Sequence, residues 1–159
     1  MRHRALLAAA AAALAADQLT KAWARRALVA GVTKPFVAFW SWRLSFNPGT
    51  AFSIITGADG ARVLLAVVGV VAAIVLAGYA WRRAPSTAAA VGYGLCAAGA
   101  LGNAIDRIAI GRVTDFILWS AGGHDWPIFN VADAALVAGV ALLALPRSSR
   151  ARQPLVDHS

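Results

Sequence analysis

The chain has 159 residues, is 60% hydrophobic with a mean hydropathy of +0.65, and only 14% of it is charged. That is the length of one domain and too apolar for an ordinary soluble one, which points to an integral membrane protein. The net charge of +8 does not mark a nucleic-acid binder, because the basic residues flank apolar runs and form no face interleaved with aromatics.

Behind Arg2, His3 and Arg4, a Leu- and Ala-rich run opens at residue 5. Basic residues, a short apolar core and Ala-x-Ala are also marks of a cleavable signal peptide. The run continues to Trp23, however, reaching the ~20 residues of a spanning helix, and this favours an uncleaved first span over 5–23. Asp17 and Lys21 stand four apart with the acid first, the favourable order for a helical pair. They read equally as a snorkelling pair at the interface and as a polar brace facing the bundle. Residues 31–58 carry Gly31, Pro35, Pro48, Gly49 and Gly57, while 37–46 is aromatic and strand-like. A small extramembrane β element is expected there, with Phe39, Trp40 and Trp42 at headgroup depth. Asn47 either caps the turn that follows or aims its amide into a site.

A charge-free run closed by Trp81, Arg82 and Arg83 places a second span at about 62–80, with Gly69, Ala73 and Ala77 as a small-residue stripe. The third span, about 86–106, repeats the stripe at Gly94, Ala98 and Gly102. Residues 111–127, with Gly122, Gly123 and Pro127, read as a loop. A fourth span covers about 128–146, interrupted by Asn130 and Asp133 and closed by Arg147, Arg150 and Arg152, before a polar tail expected to be disordered. Four spans put both termini on one side. Charge counting favours the cytoplasm for them only weakly, since Lys21, Arg25, Arg26, Lys34 and Arg43 load the first outer loop. Cys96, the single cysteine, reads as a small buried residue. His3, His124 and His158 are too scattered for a metal site.

Seven residues are acidic, all of them Asp, and Asp106, Asp115 and Asp133 fall in or against apolar segments. A charge near hydrocarbon costs roughly 2.5–3.5 kcal/mol on insertion scales. Asn103, Asp106 and Arg107 share one helix face, so Arg107 can pair with Asp106, a pairing more structural than catalytic. Asn130 and Asp133 share another, and Asp115 can fold back over the bundle mouth towards Asp133. Two carboxylates held close in a low-dielectric site cannot both ionise readily. The ionised one can then deprotonate a water while the protonated one polarises a peptide carbonyl. The same carboxylates would serve as proton relays in a transporter, or as structural groups in a scaffold, and residue chemistry alone leaves these open.

At Asp17-Gln-x-Thr-Lys21, Asn47-x-Gly-x-Ala-Phe52, Gly102-Asn-x-x-Asp-Arg107, Val113-x-Asp-Phe116 and Phe129-Asn-x-Ala-Asp133 the chain resembles the lipoprotein signal peptidase (signal peptidase II) family, collinearly over nearly its whole length. The resemblance implies a membrane all-α fold, a four-helix bundle with the small β element and the 111–127 loop over the site. It implies an aspartyl endopeptidase of the bacterial inner membrane, with Asp115 and Asp133 as the catalytic dyad. Asn47, Asn103, Arg107 and Asn130 would line the substrate site. Asp17 and Asp106, with Lys21 and Gly49, would support the fold. The implied substrate is a prolipoprotein whose Cys carries diacylglycerol, cut just before that Cys by a monomer lying in membrane lipid, with no metal or organic cofactor. Both termini would be cytoplasmic and the site near the periplasmic face.

Overall fold

The computed structural model describes residues 1–84 and 86–145, without the side chains of 50–58. Arg147, Arg150, Arg152 and the polar tail lie outside the described residues. An Ala-rich stretch free of Gly and Pro forms α1 (Arg2–Ala27), and the backbone turns extended at Leu28. Strands β1 (Thr33–Val37) and β2 (Trp40–Asn47) follow, then α2 (Thr50–Arg83) and α3 (Thr87–Ile110). Strands β3 (Val113–Ala121) and β4 (His124–Asp125) precede the last helix, α4 (Val131–Ala144). Arg2–Ala27, Asp59–Arg83 and Thr87–Ile110 are long and apolar enough to cross a membrane. α4 is apolar but has 14 residues, about 21 Å of helix against a hydrocarbon core near 30 Å.

Two expectations about the extramembrane part need correction. The β element was expected to run from 31 to 58, yet strand ends at Asn47 and helix begins at Thr50. Gly49, at φ +76°, makes the reversal that launches α2. Gly57 then lies within helical backbone, where a glycine costs only about 1 kcal/mol relative to Ala and does not break the run. The second correction concerns 111–127, expected as a loop. Val113–Ala121 is a strand rich in β-branched and aromatic side chains, closed by the turn at Gly122 and Gly123, both at positive φ. The result is one antiparallel sheet in the order β1-β2-β3-β4. Its register sets Ser45 opposite Asp115, Trp42 opposite Ile117 and Trp40 opposite Trp119, with a bulge between Trp42 and Ser45.

The sheet sits on the bundle through Ala24, Leu44, Phe116 and Ile117, ringed by Trp40, Trp42 and Phe129. Below it the helices approach closely, as the small-residue stripes foretell. A Cβ on Gly94 would lie 2.7 Å from the Leu6 carbonyl of α1, and one on Gly69 would lie 2.9 Å from the Ala100 carbonyl of α3. Such contacts suit a bundle in lipid, where close backbone packing replaces the hydrophobic effect between helices. The opposite face of α2, with Val67, Val71, Ile74 and Val75 more than half exposed, is the surface such a bundle presents to acyl chains.

Candidate active site

Four elements meet at the sheet end of the bundle, and each delivers a polar side chain for a local reason. Asn130 ends the extended segment after β4 and caps α4. Its Oδ1 accepts the Asp133 N–H at 3.0 Å, and Asp133 Oδ2 accepts the Asn130 N–H at 3.2 Å. This reciprocal capping box fixes both side chains at once. It also explains why α4 starts at Val131 rather than near 128. Asn130 Nδ2 donates to Asp115 Oδ1 on β3 at 2.7 Å and to Asn103 Oδ1 on α3 at 3.1 Å. Asn103 Nδ2 donates in turn to Asp133 Oδ1 at 2.8 Å. Asp115 and Asp133, eighteen positions apart in sequence, are thus joined through two asparagine amides. Asn47 closes the β2 side: its Oδ1 accepts the Gly49 N–H at 2.9 Å, and its side chain near Asp115 weakly favours the ionised form of that carboxyl. Of the two alternatives for Asn47, the turn cap is the one its hydrogen bond to Gly49 shows.

The two carboxylates differ in environment. Asp115 is 5% exposed, whereas Asp133 is half-buried and receives two N–H donors. Burial pushes the Asp115 carboxyl up to about 7, against the hydrogen bond from Asn130, and the neighbouring charge of Asp133 pushes the same way as burial.

Beneath this pair lies a charge-balanced support. Asp17, Lys21 and Asp106 are all buried. Lys21 Nζ is 3.0 Å from Asp17 Oδ2 and 3.6 Å from Asp106 Oδ2, and it donates to Asn103 Oδ1 at 2.9 Å. The Asp17–Lys21 pair is therefore the brace rather than the snorkelling pair. Asp17 Oδ1 also accepts the Ala132 N–H at 2.9 Å, tying α1 to the first turn of α4. Gly102 makes room for this, since a Cβ there would lie 2.5 Å from Asp17 Oδ2.

Arg107 does not pair with Asp106, the pairing expected from their sharing one helix face with Asn103. Asp106 faces α1 and takes Arg25 at 3.3 Å, and its Oδ2 accepts the Thr114 N–H at 2.8 Å. Arg107 points instead past Asn103, donating to its carbonyl at 3.3 Å, and lies within Coulombic range of Asp133 and Asp115. Among the described residues its Nε is buried without a hydrogen-bond partner. Arg25 and Thr114 were missed by the sequence reading. Arg25 carried a usable signal, because Asp17, Lys21 and Arg25 repeat every four residues along one helix face. Lys21 and Arg25 consequently belong to α1 and the bundle interior, not to an outer loop.

This is a helical membrane protein with a carboxyl pair held between its bundle and a small antiparallel sheet. Residues 9–147 match the family described as signal peptidase (SPase) II. The lipoprotein signal peptidase of Xylella fastidiosa (strain 9a5c) is 39% identical over 140 residues, covering 84% of each chain. That of Xanthomonas campestris pv. campestris (strain 8004) is 38% identical over 143 residues and 86% of each. A solved bacterial membrane enzyme, determined by the in meso method at 1.9 Å, superposes with a TM-score of 0.78 at 31% identity, over 87% of this chain and 88% of its own. The chain belongs to the signal peptidase II family of lipoprotein-processing peptidases. A proton-coupled transporter finds no support in these comparisons.

Proposed function

We propose that this chain is an aspartyl endopeptidase, a single peptidase domain that cuts diacylglyceryl-modified prolipoproteins immediately before the lipidated Cys. The observation that carries the reading is the Asp115–Asn130–Asn103–Asp133 hydrogen-bonded chain, which holds two carboxyl groups in unlike environments at one site. Asp133, the more solvated, takes a proton from a water as that water adds to the scissile carbonyl. Asp115, protonated, donates to the carbonyl oxygen as it becomes the oxyanion of the tetrahedral intermediate. Collapse of the intermediate expels the Cys amine, which leaves with the proton held on Asp133, and Asp115 recovers its own. Asn47, Asn130 and Arg107 border the space in which the peptide lies, and Asn103 orients Asp133.

Membrane placement follows the same reading. Termini lie in the cytoplasm and the sheet at the periplasmic face of the inner membrane, with exposed Phe36, Phe39, Trp119 and Trp126 resting at headgroup depth. A groove of about 400 Å³ between α2 and α3, lined by Val63, Ala66, Val67, Val70, Arg107 and Ile108, opens sideways beside the site. It gives an acyl chain a path that never leaves the apolar phase. The monomer is taken as the working unit. The test is paired substrates: a diacylglyceryl-modified precursor and the same precursor with Cys replaced by Ser, which cannot be lipidated. Mass spectrometry is expected to find a new N-terminus at the lipidated Cys and no product from the Ser precursor. Equal cleavage of both would refute the lipid-directed reading.

A further inference from the structure

The end of the bundle opposite the carboxyl pair carries a second concentration of charge. Arg2 and His3 at the start of α1 meet Trp81 and Arg82 at the end of α2, lining a recess of about 130 Å³ with Ala80 and Ala84. Two contacts fix its walls. Arg2 Nη1 donates to the Ala84 carbonyl at 2.8 Å, and the His3 ring sits edge-on to Trp81 with centroids 4.1 Å apart. Ala80 and Ala84, which line it, also pack with Leu6 and Ala90 in a buried apolar cluster. Arg4 and Arg83 adjoin in sequence. No described acid faces this cluster: Asp17 stands roughly 22 Å along α1 from Arg2, and the others lie at the sheet end.

Arg82 is shared with a second concavity. Together with Arg83, Tyr79, Gly78, Val75 and Ile74 it lines an open groove of about 420 Å³ that runs from charge into apolar surface along the outer face of α2. A Cβ on Gly78 would meet nothing within 4 Å, so the groove is open at that position. We propose that the two concavities form one binding site for an anionic phospholipid. Its phosphate sits in the Arg2–His3–Arg82 recess, and one acyl chain follows Gly78, Val75 and Ile74. Arginines recognise phosphate through charge-assisted hydrogen bonds, and basic pockets between spanning helices are suited to anionic headgroups. A free phosphate would use the recess alone and leave the apolar continuation empty. Half-exposed Trp81 and Tyr79 sit where aromatic side chains mark the headgroup level.

Native mass spectrometry of the full-length protein released from detergent tests this with three probes: dioleoyl phosphatidylglycerol, dioleoyl phosphatidylcholine and inorganic phosphate. Retention of the anionic lipid is expected to exceed that of the zwitterionic lipid by roughly ten- to thirtyfold, the weight of two arginines at a headgroup. The Arg2→Gln/Arg82→Gln double variant is expected to lose that preference. Gly78→Leu, which fills open space and adds helix propensity, is expected to weaken lipid retention while leaving phosphate binding unchanged. Both variants should still cleave substrate. Equal retention of the two lipids, or a preference that survives the double variant, would overturn the proposal. Inorganic phosphate binding as tightly as the anionic lipid would overturn it as well, in favour of a free-anion site. Should the double variant fail to fold, Gly78→Leu decides alone, since undiminished lipid retention there refutes the acyl groove.

Discussion

Replacing Lys21 by Met probes the support beneath the carboxyl pair at its centre. The ammonium is fully buried, lies between Asp17 and Asp106, and donates to Asn103. Methionine keeps the length and apolar volume of the side chain but removes the charge. Among the described residues Asp17 would then retain its Gln18 and Ala132 donors, and Asp106 would keep the Thr114 N–H and, as its one remaining cation, half-buried Arg25. Removing one partner of a buried ion pair costs about 3–5 kcal/mol, because the other charge is left without compensation. At about 2–4 °C per kcal/mol for a chain of this size, the melting temperature should fall by on the order of 10 °C. Cys96 supplies the assay: it is the chain's single thiol and it is buried, so a fluorogenic maleimide reacts only as the bundle opens. Adding Asp17→Asn should recover part of the loss, since it removes one of the stranded charges. A shift below about 2 °C in Lys21→Met, on the same scale, would show that the brace is not held by this charge and refute the reasoning.

Other consequences are equally specific. Asn103→Leu removes the amide that donates to Asp133 Oδ1 and should lower kcat by roughly a hundredfold with a smaller change in KM, the cost of a misplaced catalytic group; wild-type kcat would refute that positioning role. The raised Asp115 carboxyl means that the folded state binds a proton the unfolded chain releases, so this group's contribution to stability falls as pH rises from about 4 towards 7. Asp115→Asn should therefore be more stable than wild type above pH 7, with the difference shrinking in acid; thermal unfolding at pH 5 and pH 8 measures it, and a gap that widens in acid has the wrong sign. Gly102→Ala drives a methyl group into Asp17 and should destabilise the bundle by about 1–3 kcal/mol, read as a lowered melting temperature.

How much of this was legible in the sequence depends on the range of the interaction. The long apolar runs and the small-residue stripes are local patterns, and they located the apolar helices and their contact faces, though not that α4 has only 14 residues. The motif spacing placed Asn103, Asn130, Asp115 and Asp133 on faces that do converge. Partner choice was not local. Asp106 stands next to Arg107 in sequence, but its side chain faces α1, where Arg25 and Lys21 wait eighty residues away, and helix rotation alone decides between them. The strand at Val113–Ala121 was hidden for a similar reason. It is buried on both faces from Val113 to Leu118, so it lacks the alternation of a half-exposed strand, and its partner β2 lies some seventy residues earlier. Gly57 misled in the other direction, because a single glycine costs a helix only about 1 kcal/mol relative to Ala, too little to end it.

The central claim is that Asp115 and Asp133 together activate the water that cuts the lipoprotein precursor. The most direct measurement is cleavage of a diacylglyceryl-modified prolipoprotein by purified wild type, Asp115→Asn and Asp133→Asn, followed by gel shift at equal amounts of folded protein. Cleavage by wild type, with none detectable in either variant, is the expected result. Retained cleavage in either Asn variant, or a folded wild type that cuts no lipidated precursor while carrying protons across a membrane, would contradict it.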